Sequence, residues 1–156
     1  MLRSHKHWLP VILWMGFIFI MSTDLGSAEH TSRIIEPLLR WLNPEISPAA
    51  IDLVHTLVRK GGHLTEYAIL ALLVLRAAGI SLRTRRAVND WRAVGIALLV
   101  AAVYAATDEF HQSFVPGRTA SVYDVLIDTT GAFIALAVVL LWRKLREQPA
   151  PDGARD

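Results

Sequence analysis

Apolar residues along this chain gather in four runs, Leu9 to Met21, Tyr67 to Ala78, Ala93 to Ala106 and Val125 to Trp142, each closed by polar residues. A helix rising 1.5 Å per residue needs about 20 residues to cross about 30 Å of hydrocarbon, and the first three runs are too short. Their polar flanks must be drawn in, which predicts spans at residues 8–23, 63–82, 92–111 and 124–143. In each of the last three windows one end turn carries ionisable groups: His63 and Glu66, Asp108, Glu109 and His111, or Asp124 and Asp128. The pattern predicts an all-α fold, a polytopic bundle of four transmembrane helices within residues 1–147, with a disordered tail at 148–156.

The longest connection, Ser22 to Gly62, has helical periodicity of its own. Ile34, Ile35, Leu38, Leu39, Trp41 and Leu42 recur at helical spacing, interrupted by Pro37, and predict a short segment lying along an interface. Ser47 as N-cap and Pro48 at the first helical position predict a second helix presenting Ile51, Val54, Leu57 and Val58 on one face. Gly61 and Gly62 are expected to break that helix just before His63. The two pieces together would form an amphipathic elbow between the first two spans.

Composition favours the membrane reading over a soluble bundle with a large core. The chain is 53% hydrophobic with a mean hydropathy of +0.38, high for a soluble domain. The absence of cysteine excludes a disulfide framework, an iron–sulfur cluster and thiol catalysis. A pI near 9.3 would fit nucleic acid, but the basic residues are placed otherwise. Arg3 and Lys6, the group Arg76, Arg83, Arg85, Arg86 and Arg92, and Arg143, Lys144, Arg146 and Arg155 outnumber those of the other two connections. By the positive-inside rule both termini and the Arg83–Arg92 loop lie in the cytoplasm of a multi-pass protein of the bacterial cytoplasmic membrane. The ionisable end turns then face outward. Arg3 and Lys6 before a short apolar run also have the form of a signal-peptide start, with Ser27-Ala28 a poor cleavage site.

Ionisable groups at membrane depth are costly unless paired or solvated, so this outward cluster is the candidate site. His63, Glu66 and Tyr67 share one helix face, with Arg59 and Lys60 near enough to neutralise Glu66. Asp108 and His111 are expected to share a face, and Glu109 and Gln112 the neighbouring one. Asp124 and Asp128 open the last span, where a helix dipole favours acids, and Ser121 or Asp124 is positioned to cap it. Phe114 to Tyr123 reads as an outward hairpin loop, Pro116 and Gly117 giving it turn chemistry that presents Arg118 at the tip or back over the acids. Donors suited to a metal are present, yet His63 and His111 lie on different helices, so spacing supplies no compact signature. No metal and no cofactor is assigned. Neither a phosphate-binding glycine loop nor a Ser-His-Asp arrangement is evident.

Three segments, Trp14 with Ile20-Met21-Ser22, Lys60 to Leu70, and Asp108 to Val125, resemble the VanZ-like family of small bacterial membrane proteins, in a likeness running from about Trp8 to Trp142. Glycine-His63-x-x-Glu66-Tyr67, Glu109-x-His111-Gln112, Pro116-Gly117-Arg118 and Ser121-x-x-Asp124 in that order carry it. The resemblance implies an envelope protein whose founding relative is associated with glycopeptide resistance, teicoplanin in particular. It implies His63, Glu66, Tyr67, Glu109, His111, Gln112, Arg118, Ser121 and Asp124 as motif residues. Two positions depart from the family pattern: Asp128 stands where an asparagine is usual, and Ala135 where a glycine is.

Three functions follow. The cluster binds or shields a cell-wall or lipid-linked component, with Tyr67, Gln112, Arg118, Ser121, Asp124 and Asp128 as ligand contacts and membrane lipid as surroundings. Alternatively, His63 or His111 beside Glu66 or Glu109 acts as general base of a membrane hydrolase or transferase, with Arg118 holding a phosphate and metal-assisted hydrolysis a variant. In the third, the cluster only ties helices together.

Overall fold

The computed structural model describes residues 5–23, 28–81, 91–115 and 120–146. These form five helices and no strand: α1 (His5–Met21), α2 (Ala28–Leu42), α3 (Pro48–Ser81), α4 (Trp91–Gln112) and α5 (Val122–Arg146). The all-α expectation holds. The segments 82–90, 116–119 and 147–156, and with them the Arg83–Arg86 group, Arg118 and the expected tail, lie outside the described residues.

Local chemistry explains the helix starts. Ser47 accepts the backbone N–H of Ala50 on its hydroxyl at 3.2 Å and caps α3, while Pro48, at the first helical position, lacks an N–H that would go unpaired there anyway. Ser121 does the same for α5, its hydroxyl accepting the Tyr123 N–H at 3.1 Å. Two expected interruptions do not occur. Pro37 sits inside α2, and Gly61 and Gly62 sit inside α3, which runs unbroken for 34 residues, about 51 Å at 1.5 Å per residue. A helical glycine costs about 1 kcal/mol relative to alanine. Burial of Ile51 on one side of the pair and of Tyr67, Leu70 and Ala71 on the other favours one continuous rod, and Thr65 adds a hydroxyl bond of 2.7 Å to the Gly61 carbonyl. The elbow is therefore α2 folded against α3, not two pieces ahead of a separate span. Ile51 faces inward, whereas Leu53, Leu57 and Val58 are exposed.

α3 is the central element, packed by α1, α2, α4 and α5, and α4 and α5 pack on each other. Small residues set the spacing. Ala93, Ala97, Ala101 and Ala105 form a fully buried stripe on α4 against a core that includes Leu70, Ala71, Val74 and Ala77 of α3 and Ala132 and Leu136 of α5. Gly131 of α5 permits the closest approach: a Cβ there would overlap the Leu64 carbonyl oxygen and lie 2.9 Å from its carbon. The Trp14 indole donates to the Glu66 carbonyl at 2.9 Å and the Tyr104 hydroxyl to the Met15 carbonyl at 2.6 Å, fixing α1 against α3 and α4.

α4 and α5 are long and apolar enough to cross a membrane by length and composition, while α1 is apolar but shorter. α3 carries Asp52, Arg59, Lys60, Glu66 and Arg76 along its length. Two helices, not four, thus meet that test among the described residues. The bundle is also inverted relative to a water-soluble one. Ile12, Leu13, Leu99, Phe133, Val138 and Leu141 are exposed, whereas Asp108, Glu109, Gln112 and Asp128 are buried.

Candidate polar site at one end of the bundle

Up-and-down threading brings the C-terminus of α1, the middle of α3, the C-terminus of α4 and the N-terminus of α5 to one end, which is where the polar residues collect. On α4 the buried stripe continues past Ala105 into Asp108, Glu109 and Gln112. From α5 the same end receives Asp128, fully buried one turn before Gly131. The close α3–α5 approach at Gly131 and Leu64 sets His63 beside it, Nδ1 to Oδ1 at 3.4 Å.

The site has a bonded half and an unbonded half. Ser22 donates to Asp108 Oδ2 at 2.8 Å, and Gln112 Nε2 reaches the same oxygen at 2.9 Å and the Ser22 hydroxyl at 3.4 Å. This chain of bonds ties α1 to α4. Glu109 Oε2 accepts the Ser121 N–H at 2.9 Å, fastening the start of α5 to the end of α4. On the other side, His63 Nδ1 and Asp128 Oδ1 form a 3.4 Å ion-pair contact without hydrogen-bond geometry. His63 Nδ1, both Asp128 oxygens, Asp108 Oδ1, Glu109 Oε1, Gln112 Oε1 and the Tyr67 hydroxyl are all buried without a hydrogen-bond partner. Tyr67 lies within the electrostatic reach of Asp108, Asp128 and Glu66.

The residues singled out from the sequence divide accordingly. His63, Tyr67, Glu109, Gln112 and Asp128 contribute to the buried cluster. Glu66 is half-buried one turn from His63 and within its electrostatic reach. Asp124 is paired at 3.4 Å with Arg59, which links α3 to the start of α5. Ser121 caps α5. His111 stacks its ring on Phe19 of α1, centroids 4.4 Å apart, and Asp108 is bonded by Ser22 at the end of the same helix, so both groups turn toward α1, while Asp108 pairs in addition with Gln112 four residues on. Arg118 lies outside the described residues. Ser22 and Asp108 are central to the geometry yet absent from the motif residues carried over by resemblance. Counting forward in fours from Ala93 through Ala105 marks the buried face of α4, and steps of three and four from there lead to Asp108, Glu109 and Gln112.

Chemically, the unbonded half offers one imidazole nitrogen and two carboxylates at close range. His63, Asp108 and Asp128 each place one ligand atom within 4.8 Å of the others, a donor set able to hold a metal ion. The VanZ/LLP1 family profile matches residues 7–143. No curated protein and no solved structure matches the chain.

Proposed function

The chain belongs to the VanZ/LLP1 family, and from that premise we propose that it is a four-span protein of the bacterial cytoplasmic membrane that binds the polar head of a cell-wall or lipid-linked envelope component at the polar end of its bundle. One observation carries this reading: Asp128, Tyr67 and neighbouring groups are buried with their hydrogen-bonding capacity unused. Orphaned buried polar groups cost about 1 to 3 kcal/mol each, so a cluster kept only to hold helices together would be expected to satisfy them.

The inverted surface supports the membrane setting, since exposed apolar side chains gird α1, α4 and α5. Once α1 and α3 are counted, four helices traverse the bundle, the polar flanks of α3 being turned inward or beyond the hydrocarbon. Ile34, Leu38, Trp41 and Leu42 of α2 form an exposed apolar stripe suited to the membrane interface. The distribution of Lys and Arg favours cytoplasmic termini and an outward polar end. An apolar groove of about 380 Å³ between α1 and α4, lined by Met15, Leu99, Val100, Val103, Tyr104 and Thr107, could receive a hydrocarbon chain. Its upper end at Thr107 adjoins Asp108 in the chain.

The bonded half favours a second role alongside the first, because Ser22, Asp108 and Gln112 tie α1 to α4. Cells expressing His63→Gln or Glu109→Gln separate the two. For a binding site, each variant reaches the membrane at wild-type level while teicoplanin tolerance, and co-purification of an envelope lipid detected by mass spectrometry, are lost. Wild-type tolerance and lipid content at normal protein levels would remove these residues from a binding site. Failure of both variants to accumulate would leave helix association as the role of the cluster.

A further inference from the structure

The geometry points to a binding site for one divalent cation of the Zn²⁺ type, held by His63 of α3, Asp108 of α4 and Asp128 of α5. This deepens the ligand-binding reading above and rests on it for what the site serves. The three ligand atoms lie within 4.8 Å of one another. Around an ion with ligands at about 2.0 to 2.2 Å, two donors stand at most about 4.4 Å apart, so small side-chain rotations close the set.

Proximity of carboxylates alone would mean little. Here Asp128 is 0% exposed and Asp108 3%, and both Asp128 oxygens, Asp108 Oδ1 and His63 Nδ1 have no hydrogen-bond partner. A dication balances two carboxylates and a neutral imidazole. Arg59, one turn before His63 on α3, is engaged by Asp124.

Asp108 is already oriented as a metal ligand is oriented. Its Oδ2 is held by Ser22 at 2.8 Å and by Gln112 at 2.9 Å, which fixes the carboxylate plane and leaves Oδ1 unengaged. Gly131 lets α3 and α5 approach closely enough for His63 to meet Asp128. One imidazole nitrogen and two carboxylate oxygens suit Zn²⁺ with a fourth position open, whereas Ca²⁺ and Mg²⁺ favour six or more oxygens. The open position accepts water or an anionic oxygen, phosphate or carboxylate, from the head of a bound envelope molecule. The buried Tyr67 hydroxyl is an unengaged donor near that group.

Full-length protein in detergent micelles, stripped with EDTA and titrated with ZnSO₄, tests the site by metal content and calorimetry. One Zn²⁺ per chain is expected, bound at least about tenfold more weakly by Asp108→Asn and by Asp128→Asn. Glu36→Gln, which alters an exposed ion pair with Arg40 on α2, should bind as the unaltered protein does. Since a variant can misfold, Co²⁺ loaded into the unaltered chain provides a second reading: a visible d–d band that Zn²⁺ abolishes. Absence of stoichiometric Zn²⁺ and of that band, or equal Zn²⁺ affinity in Asp128→Asn, overturns the site. A metal-free protein whose His63→Gln variant still loses co-purified lipid overturns the metal and leaves lipid binding. A Zn²⁺-binding protein whose variants keep lipid and tolerance upholds the metal and overturns the binding reading.

Discussion

Along one face of α4, Ala93, Ala97, Ala101 and Ala105 are buried at one end of the bundle, and Asp108, Glu109 and Gln112 at the other. The alanine end has no side-chain polar atom to satisfy, so its stability comes from close packing of small side chains with Ala71, Val74 and Ala77 of α3. At the polar end the same helices bury carboxylates with few partners, at a cost in free energy that packing elsewhere must offset. The dry end thus builds the bundle and the polar end uses it. Gly131, where α5 meets Leu64 of α3, joins the two.

The largest expected effect lies at that junction. Gly131→Val drives a side chain into the Leu64 backbone, which cannot rotate away, and should cost at least about 3 kcal/mol. Its level in membrane fractions should fall severely and any Zn²⁺ binding with it; near-normal accumulation would mean that α3 and α5 are not held so closely. At the dry end, Ala101→Leu overpacks a fully buried position and should cost about 1 to 3 kcal/mol, read as a lowered melting temperature in detergent. The surviving folded fraction should retain its ligand, because Ala101 lies two turns from Asp108. Loss of ligand at full stability would erase the distinction between the ends. Ser121→Ala removes the α5 cap and should cost about 1 kcal/mol, again by melting, with tolerance unchanged per molecule.

Much of this fold was legible in the chain. Apolar runs marked the helices because a bundle of this kind needs little more than apolar length, and Ser47 and Pro48 marked the start of α3 through local capping chemistry. Gly61-Gly62 misled because glycine's cost is local and small, whereas the burial that keeps α3 whole comes from other helices. The polar residues were visible as a set, but their partners were not. That Arg59 meets Asp124 depends on how α3 and α5 pack against each other, an approach that Gly131 permits. His111 and Asp108 both turn toward α1, as their separation in sequence suggests, whereas the bond from Gln112 to Asp108 shows only in the fold. The metal donor set draws one residue from each of three helices, so no spacing within a single segment could have revealed it.

The claim that the polar end is kept for binding at the expense of stability is tested most directly by the melting temperature of Asp128→Asn against the unaltered protein, both full length in detergent with EDTA. The amide keeps the shape of the carboxyl group, which is buried with no hydrogen-bond partner and only a 3.4 Å contact to His63, so the account predicts an equal or higher melting temperature for the variant, by about 1 kcal/mol of stability or more. A variant melting several degrees lower would show that Asp128 holds the bundle together, and would contradict the account.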